Sequence, residues 1–172
     1  ITCVEQVSVM SSVPYVRRRG SRHILRMRIP ISLRTGDVGP EIARSLGTSD
    51  PQVARRRAAL TVAAIQIGFG LMETFQSKNS LSTEELKALL AELVETALQD
   101  PEGIIAHRTA LEAISDPSEF HGYITQLSKA FHERIDANES VVAKAREAWE
   151  SERKRRERAE EHASATAIAN TQ

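Results

Sequence analysis

Arginine is the residue in this chain whose clustering could do chemistry. Arg17, Arg18 and Arg19 stand just before Gly20-Ser21, and Arg22, Arg26 and Arg28 stand just after it. A second cluster, Arg55, Arg56 and Arg57, follows some thirty residues on, with Arg44 between. A guanidinium group donates through a planar fork, accepts nothing and stays charged at any physiological pH. That chemistry suits phosphate oxygens and the acceptor edge of guanine. The first 66 residues hold eleven arginines, no lysine and only Glu5, Asp37, Glu41 and Asp50, a net of +7, although the whole chain is neutral. The remainder carries the compensating −7. Such asymmetry points to a polyanionic partner for the basic half. A solvated basic face without a partner is the plainer alternative.

Other chemistries lack their residues. The five histidines, His23, His107, His121, His132 and His162, show no metal-ligand spacing, and there is no His-Glu-x-x-His. No glycine-rich phosphate loop and no nucleophile elbow is present. Tyr15 lies in the arginine-rich stretch, where stacking or packing is its expected role, and Tyr123 falls on an apolar helix face. No catalytic residue, metal ligand or cofactor is therefore expected. A single cysteine, Cys3, allows neither a disulfide framework nor a thiolate metal site. No apolar run approaches the roughly 18 residues of a membrane span. Together these favour a cytoplasmic protein with no membrane partner.

The elements that must position the arginines are strands. From Arg22 to Ile29, Arg22, Ile24, Arg26 and Arg28 alternate with His23, Leu25, Met27 and Ile29. This period of two describes a strand with one wet and one buried face. Gly20-Ser21 is the hairpin turn, so Arg17 and Arg19 share one face of the preceding strand. Pro30 ends the second strand, residues 31–34 can form one helical turn, and residues 35–40 are loop. Glu41 to Leu46 reads as a third, antiparallel strand. Strict alternation there puts Arg44 on the face of Ile42 and Leu46, which implies an edge position or a bulge.

Helices account for the rest. Asp50-Pro51, Asp100-Pro101 and Asp116-Pro117 each offer an N-cap followed by proline at the first helical position. The first helix shows an apolar stripe of Val53, Leu60, Ala64, Ile67, Leu71 and Phe75, with Gly68 and Gly70 marking a kink or close packing. Ser82 and Glu85 form a capping box flanked by a Leu81–Leu86 staple, and a leucine-rich face follows over residues 86–98 of a helix spanning 83–99. Helices are expected from 101 and from 117, the latter carrying Phe120, Ile124, Leu127, Phe131 and Ile135. A separate last helix, residues 138–162, is polar almost all round, and residues 163–172 should fray.

The stretch Tyr-Val-Arg-Arg-Arg-Gly-Ser, the Arg-Ile-Pro that closes the second strand, and Glu-Ile-Ala-Arg-Ser-Leu-Gly-Thr-Ser-Asp-Pro-Gln-Val-Ala-Arg resemble the N-terminal domain of phage-type integrases, the tyrosine recombinases. The resemblance covers about residues 15–65. Its most specific part is Arg44 to Thr48 with Asp50, Ala54 and Arg55. It implies a DNA-binding domain standing ahead of a helical core-binding domain and a catalytic domain. The nucleophilic tyrosine and its supporting groups belong to that last domain, and none can be carried onto a position here. The resemblance thus implies an integrase-like N-terminal part that stops before catalysis and is not itself an enzyme.

The expected architecture is α+β and mostly α: a small three-stranded antiparallel sheet with a packed helix, followed by a four-helix region. The expected divisions are a disordered leader at 1–12, the DNA-binding domain at 13–80, a helical region at 81–136, and a charged helix with its tail at 137–172. The expected function is binding of double-stranded DNA, with Arg17, Arg19, Arg22, Arg26 and Arg28 toward the DNA, and Arg18 and Arg44 less directly placed. Arg55, Arg56 and Arg57 would meet phosphates from the start of the first helix. A helical protein-interaction module is the main rival, self-associating through helices 83–99 and 138–162. RNA binding fits less well, because Tyr15 and Phe69 are the only aromatics in the first 70 residues, too few for a base-stacking platform.

Overall fold

Gly20, at φ 62°, turns the chain between β1 (Val16–Arg19) and β2 (Arg22–Arg28). Glycine first in a two-residue loop is the requirement of a type II′ hairpin, whose twist matches that of its strands. The computed structural model describes residues 15–34, 36, 38–78 and 81–169, with side chains as far as residue 160. The expected leader at 1–12 lies outside these residues. A 3-10 turn, Ile31–Leu33, follows Pro30, and β3 (Glu41–Ser45) then pairs antiparallel with β2. Among the described residues, the order β1-β2-β3 leaves both outer strands as edges.

Five helices complete the described chain: α1 (Pro51–Ser77), α2 (Thr83–Gln99), α3 (Pro101–Ala106), α4 (Arg108–Glu112) and α5 (Pro117–Ala169). Their starts follow local chemistry. Asp50 accepts from the N–H groups of Gln52 and Val53, Asp100 from Gly103, and Asp116 from Glu119. The Ser82–Glu85 capping box is closed in both directions, with Leu81 and Leu86 buried beneath it. The α+β, mostly α architecture is therefore the observed one.

Two helix boundaries differ from expectation. The helix from 101 breaks at His107, which allows Ile104 and Leu111 both to be fully buried. The helices expected at 117 and 138 are one helix, continuous through residues 136–138 and on to Ala169, through most of the stretch expected to fray. Asp136, Ala137 and Asn138 are poor punctuation: none is glycine or proline, so each keeps its place in the hydrogen-bond ladder.

The chain forms two units, one ending at Ser128 and one beginning at Lys129. In the first, a single core runs from Leu25 on the sheet to Ile124 in α5. The helices after residue 80 therefore share their core with the sheet and α1. α1 sits at its centre, packing on β1, β2 and the 3-10 turn as well as on α2, α3 and α4. Helix and sheet approach closely because Ala54 and Ala58 face inward, while Val53, expected in the stripe, is exposed. A Cβ on Gly68 would lie 2.2 Å from Leu93 Cδ2, so α1 and α2 touch there through the missing side chain. Phe75 and Phe120 close the far end with ring centroids 6.0 Å apart. By length and composition alone α1 could cross a membrane, with a mean hydropathy of 1.5 over its most apolar stretch, contrary to the sequence expectation; 56% of that stretch is buried inside the protein.

Candidate nucleic-acid interface

The register of the sheet decides which arginines share a face. Across the three strands, Arg17 lies beside Ile24 and Ser45, Arg19 beside Arg22, Arg26 beside Ala43, and Arg28 beside Glu41. These rows all point away from the buried Leu25, Met27 and Ile42. Arg17, Arg19, Arg22, Arg26 and Arg28 are all exposed. From Arg22 to Arg28 the array spans about 20 Å at the usual rise of ~3.3 Å per residue. The arginines all lie on β1 and β2, and a pair of strands is the width that a major groove about 12 Å wide admits; β3 lies alongside them.

Within this array one cation already has a carboxylate. Arg26 donates from Nε to Glu41 Oε2 at 2.7 Å. Among the described residues no such partner holds Arg17, Arg19, Arg22 or Arg28. Five guanidinium groups against one carboxylate leave the face strongly positive. The small side chains of Ala43 and Ser45 leave its β3 side low, so a bulky ligand could lie flat across it.

The remaining predicted arginines stand elsewhere. Arg18 is on the other face, in the row of His23, and donates to Gly20 O at 3.0 Å in its own turn. Arg44 lies in the row of Val16 and Leu25, yet is exposed because β3 is an edge strand; it donates to Ala43 O at 3.0 Å. Beyond β3 the pairing is bulged: His23 O accepts from Leu46 N, while His23 N donates to Thr48 O. Gly47, at φ 66° between them, supplies the left-handed residue this bulge needs. Arg57 reaches back from α1 and donates from Nη1 to Leu46 O at 2.8 Å, tying the bulge to the helix. Arg55 and Arg56 are exposed on the first turns of α1. The structure thus gathers five of the ten predicted arginines on one face and gives Arg57 an internal task.

Sequence reasoning missed the groove beside the array. An open groove of about 1030 Å³ is lined by Arg17, Arg26 and Arg28 on the sheet and by Gln66, Gly70 and Glu73 on α1. Tyr15 stands at its edge at φ 85°, its carbonyl accepting from Arg26 N at 2.7 Å. No local signal links residue 17 to residue 70. Arg34, also unremarked, donates to Ile29 O at 2.7 Å and secures the end of β2.

Away from the sheet, His107 Nδ1 and Tyr123 Oη lie 2.6 Å apart, and His121 Nε2 lies 3.0 Å from Glu92 Oε2. Tyr123 is half-buried rather than enclosed. Among the described residues no group of three histidine, cysteine or acidic side chains could hold a metal ion. The carboxyl of Glu85 is held below the ordinary glutamate value, first by the Ser82 hydroxyl and then by the Ser82 N–H.

Residues 15–74 match a family described as a domain of unknown function, DUF6538. The match covers the sheet and nearly all of α1, the elements that build and support the arginine face. No curated protein and no solved structure matches the chain.

Proposed function

We propose that the outer face of the sheet binds duplex DNA, in the manner of the N-terminal part of an integrase-like site-specific recombinase. The observation that carries the reading is the register that lays Arg17, Arg19, Arg22, Arg26 and Arg28 on one exposed face. Phosphate contacts from such groups position a protein on DNA, while forked contacts to guanine select sequence. Arg55 and Arg56, exposed at the start of α1, add positive charge in the same unit. The sequence resemblance over residues 15–65 supports the recombinase context, and β-ribbon readers supply the docking geometry.

The test is binding of the intact chain to duplex DNA over a series of salt concentrations. The logarithm of the association constant should fall with slope about −0.9 per neutralised phosphate. Arg22→Ala with Arg28→Ala should weaken binding by about 1–3 kcal/mol if either reads a guanine. Arg155→Ala with Arg156→Ala should change it little, since both already lie against Glu152 on the same helix. Equal losses in the two double variants would mean that binding follows bulk charge and would sink the reading.

A further inference from the structure

Within the unit that begins at Lys129, α5 is exposed almost throughout residues 129–160. It nevertheless displays large apolar side chains: Ile135 is 41% exposed, Val142 52% and Trp149 62%, with Val141 beside them at 64%. Ile135, Val142 and Trp149 stand seven residues apart. Phe131 precedes them and Asn138 and Ala145 fall between them, so the series from 131 to 149 advances by alternating steps of four and three. That is a heptad seam, with Ile135, Val142 and Trp149 at a and Phe131, Asn138 and Ala145 at d. On a lone straight helix such a seam drifts about 20° per heptad, and it stays on one side only when two helices supercoil.

We infer that this seam is covered by a second copy of the chain, in a parallel, in-register, two-stranded coiled coil. The seam complements itself. β-branched Ile135 and Val142 stand at a, as in two-stranded parallel coils, with Phe131, Asn138 and Ala145 in place of leucine at d. Asn138, at d, meets its own counterpart across the seam, where amide can donate to amide. On the flank Arg134 faces Glu139 of the second copy, five residues on, so each dimer gains two opposite-charge pairs. The other flanking positions, Val141 facing Arg146 and Ala148 facing Arg153, bring no like charges together. Val141 then packs beside the seam, which accounts for the four large apolar side chains exposed on α5 among the described residues. Past Trp149 the seam positions are Glu152 and Arg156, each of which would meet its own like charge, so the coil ends there. It has roughly three heptads, the lower limit for such a structure. The inference is independent of the DNA reading.

Trp149 is the only tryptophan in the chain and reports its own burial. Sedimentation equilibrium of the intact chain over about a hundredfold range of concentration should show a monomer–dimer equilibrium. Trp149 emission should move to the red on dilution along the same curve. Val142→Glu replaces a side chain exposed in the monomer; it should leave helicity unchanged and raise the dissociation constant at least about tenfold. With Cys3→Ser, Asn138→Cys should form a symmetric disulfide dimer under mild oxidation. A monomer at every concentration, a trimer or tetramer, a Val142→Glu dimer as tight as the parent, or an Asn138→Cys dimer whose introduced thiols stay unlinked would each overturn the proposal.

Discussion

Arg26 and Glu41 are diagonal neighbours across β2 and β3, and their side chains meet at 2.7 Å over the exposed face of the sheet. Glu41 stands directly opposite Arg28, so this one carboxylate lies between two of the five arginines. Both members of the pair are partly exposed, and such pairs contribute at most about 1 kcal/mol to folding. Its larger effect is on the face itself, where it withholds one guanidinium and sets a negative charge among the rest.

Replacing Glu41 by Gln should therefore strengthen DNA binding several-fold and steepen its salt dependence, with little change in stability. Binding isotherms at two salt concentrations check this. Unchanged or weaker binding by the variant would show that the phosphates do not approach this part of the sheet.

Arg55, Arg56 and Arg57 are adjacent in sequence but differ in what they hold. Arg57→Ala removes the donor to Leu46 O and should cost about 1.5–3 kcal/mol of stability, the usual range for a hydrogen bond from a charged group. Arg55→Ala and Arg56→Ala should stay within about 0.5 kcal/mol, as exposed substitutions do. Urea denaturation of the three variants gives the comparison; three equal midpoints would mean that the tie to Leu46 contributes nothing.

Gly68 and Gly70 should respond to alanine with opposite signs. At Gly68 the new methyl would collide with the Leu93 side chain, and overpacking of this kind costs about 1–3 kcal/mol. At Gly70 nothing lies within 4 Å of the added atom, so the better helix former should gain up to about 1 kcal/mol. Thermal unfolding of the two variants distinguishes them, and a stabilised Gly68→Ala protein would contradict the close α1–α2 contact.

The capping box should make stability depend on acid. Glu85 is held below its ordinary value by the Ser82 hydroxyl and N–H in the folded chain, and reverts to that value on unfolding. Its contribution is thus present in full above the unfolded value and is lost as pH falls through the lowered folded value. The stability difference between the parent protein and Glu85→Gln should be largest near neutrality and shrink in acid. Denaturant titrations at a series of pH values measure it; a difference that does not change with pH would exclude this origin.

Much of the fold follows from rules that act over a few residues, and that part is legible in the chain itself. Gly20-Ser21 dictates a turn whatever surrounds it, and the alternation from Arg22 to Ile29 then sorts the arginines onto one face. Asp50, Asp100 and Asp116 cap helices because their carboxylates reach N–H groups two or three positions on. Contacts between distant residues were decided only by the tertiary structure. Alanine carries too little apolar signal to reveal that Ala54 and Ala58, not Val53, meet the sheet; the close approach of helix and sheet makes that choice. Arg26 and Arg57 look like their neighbours in sequence, yet their acceptors lie 15 and 11 residues away and exist only because β3 and its bulge are brought alongside. The core runs across residue 80 for the same reason. α1 buries one side on the sheet and another on α2, α3 and α4, and a single helical stripe read from sequence cannot show that a helix has two partners.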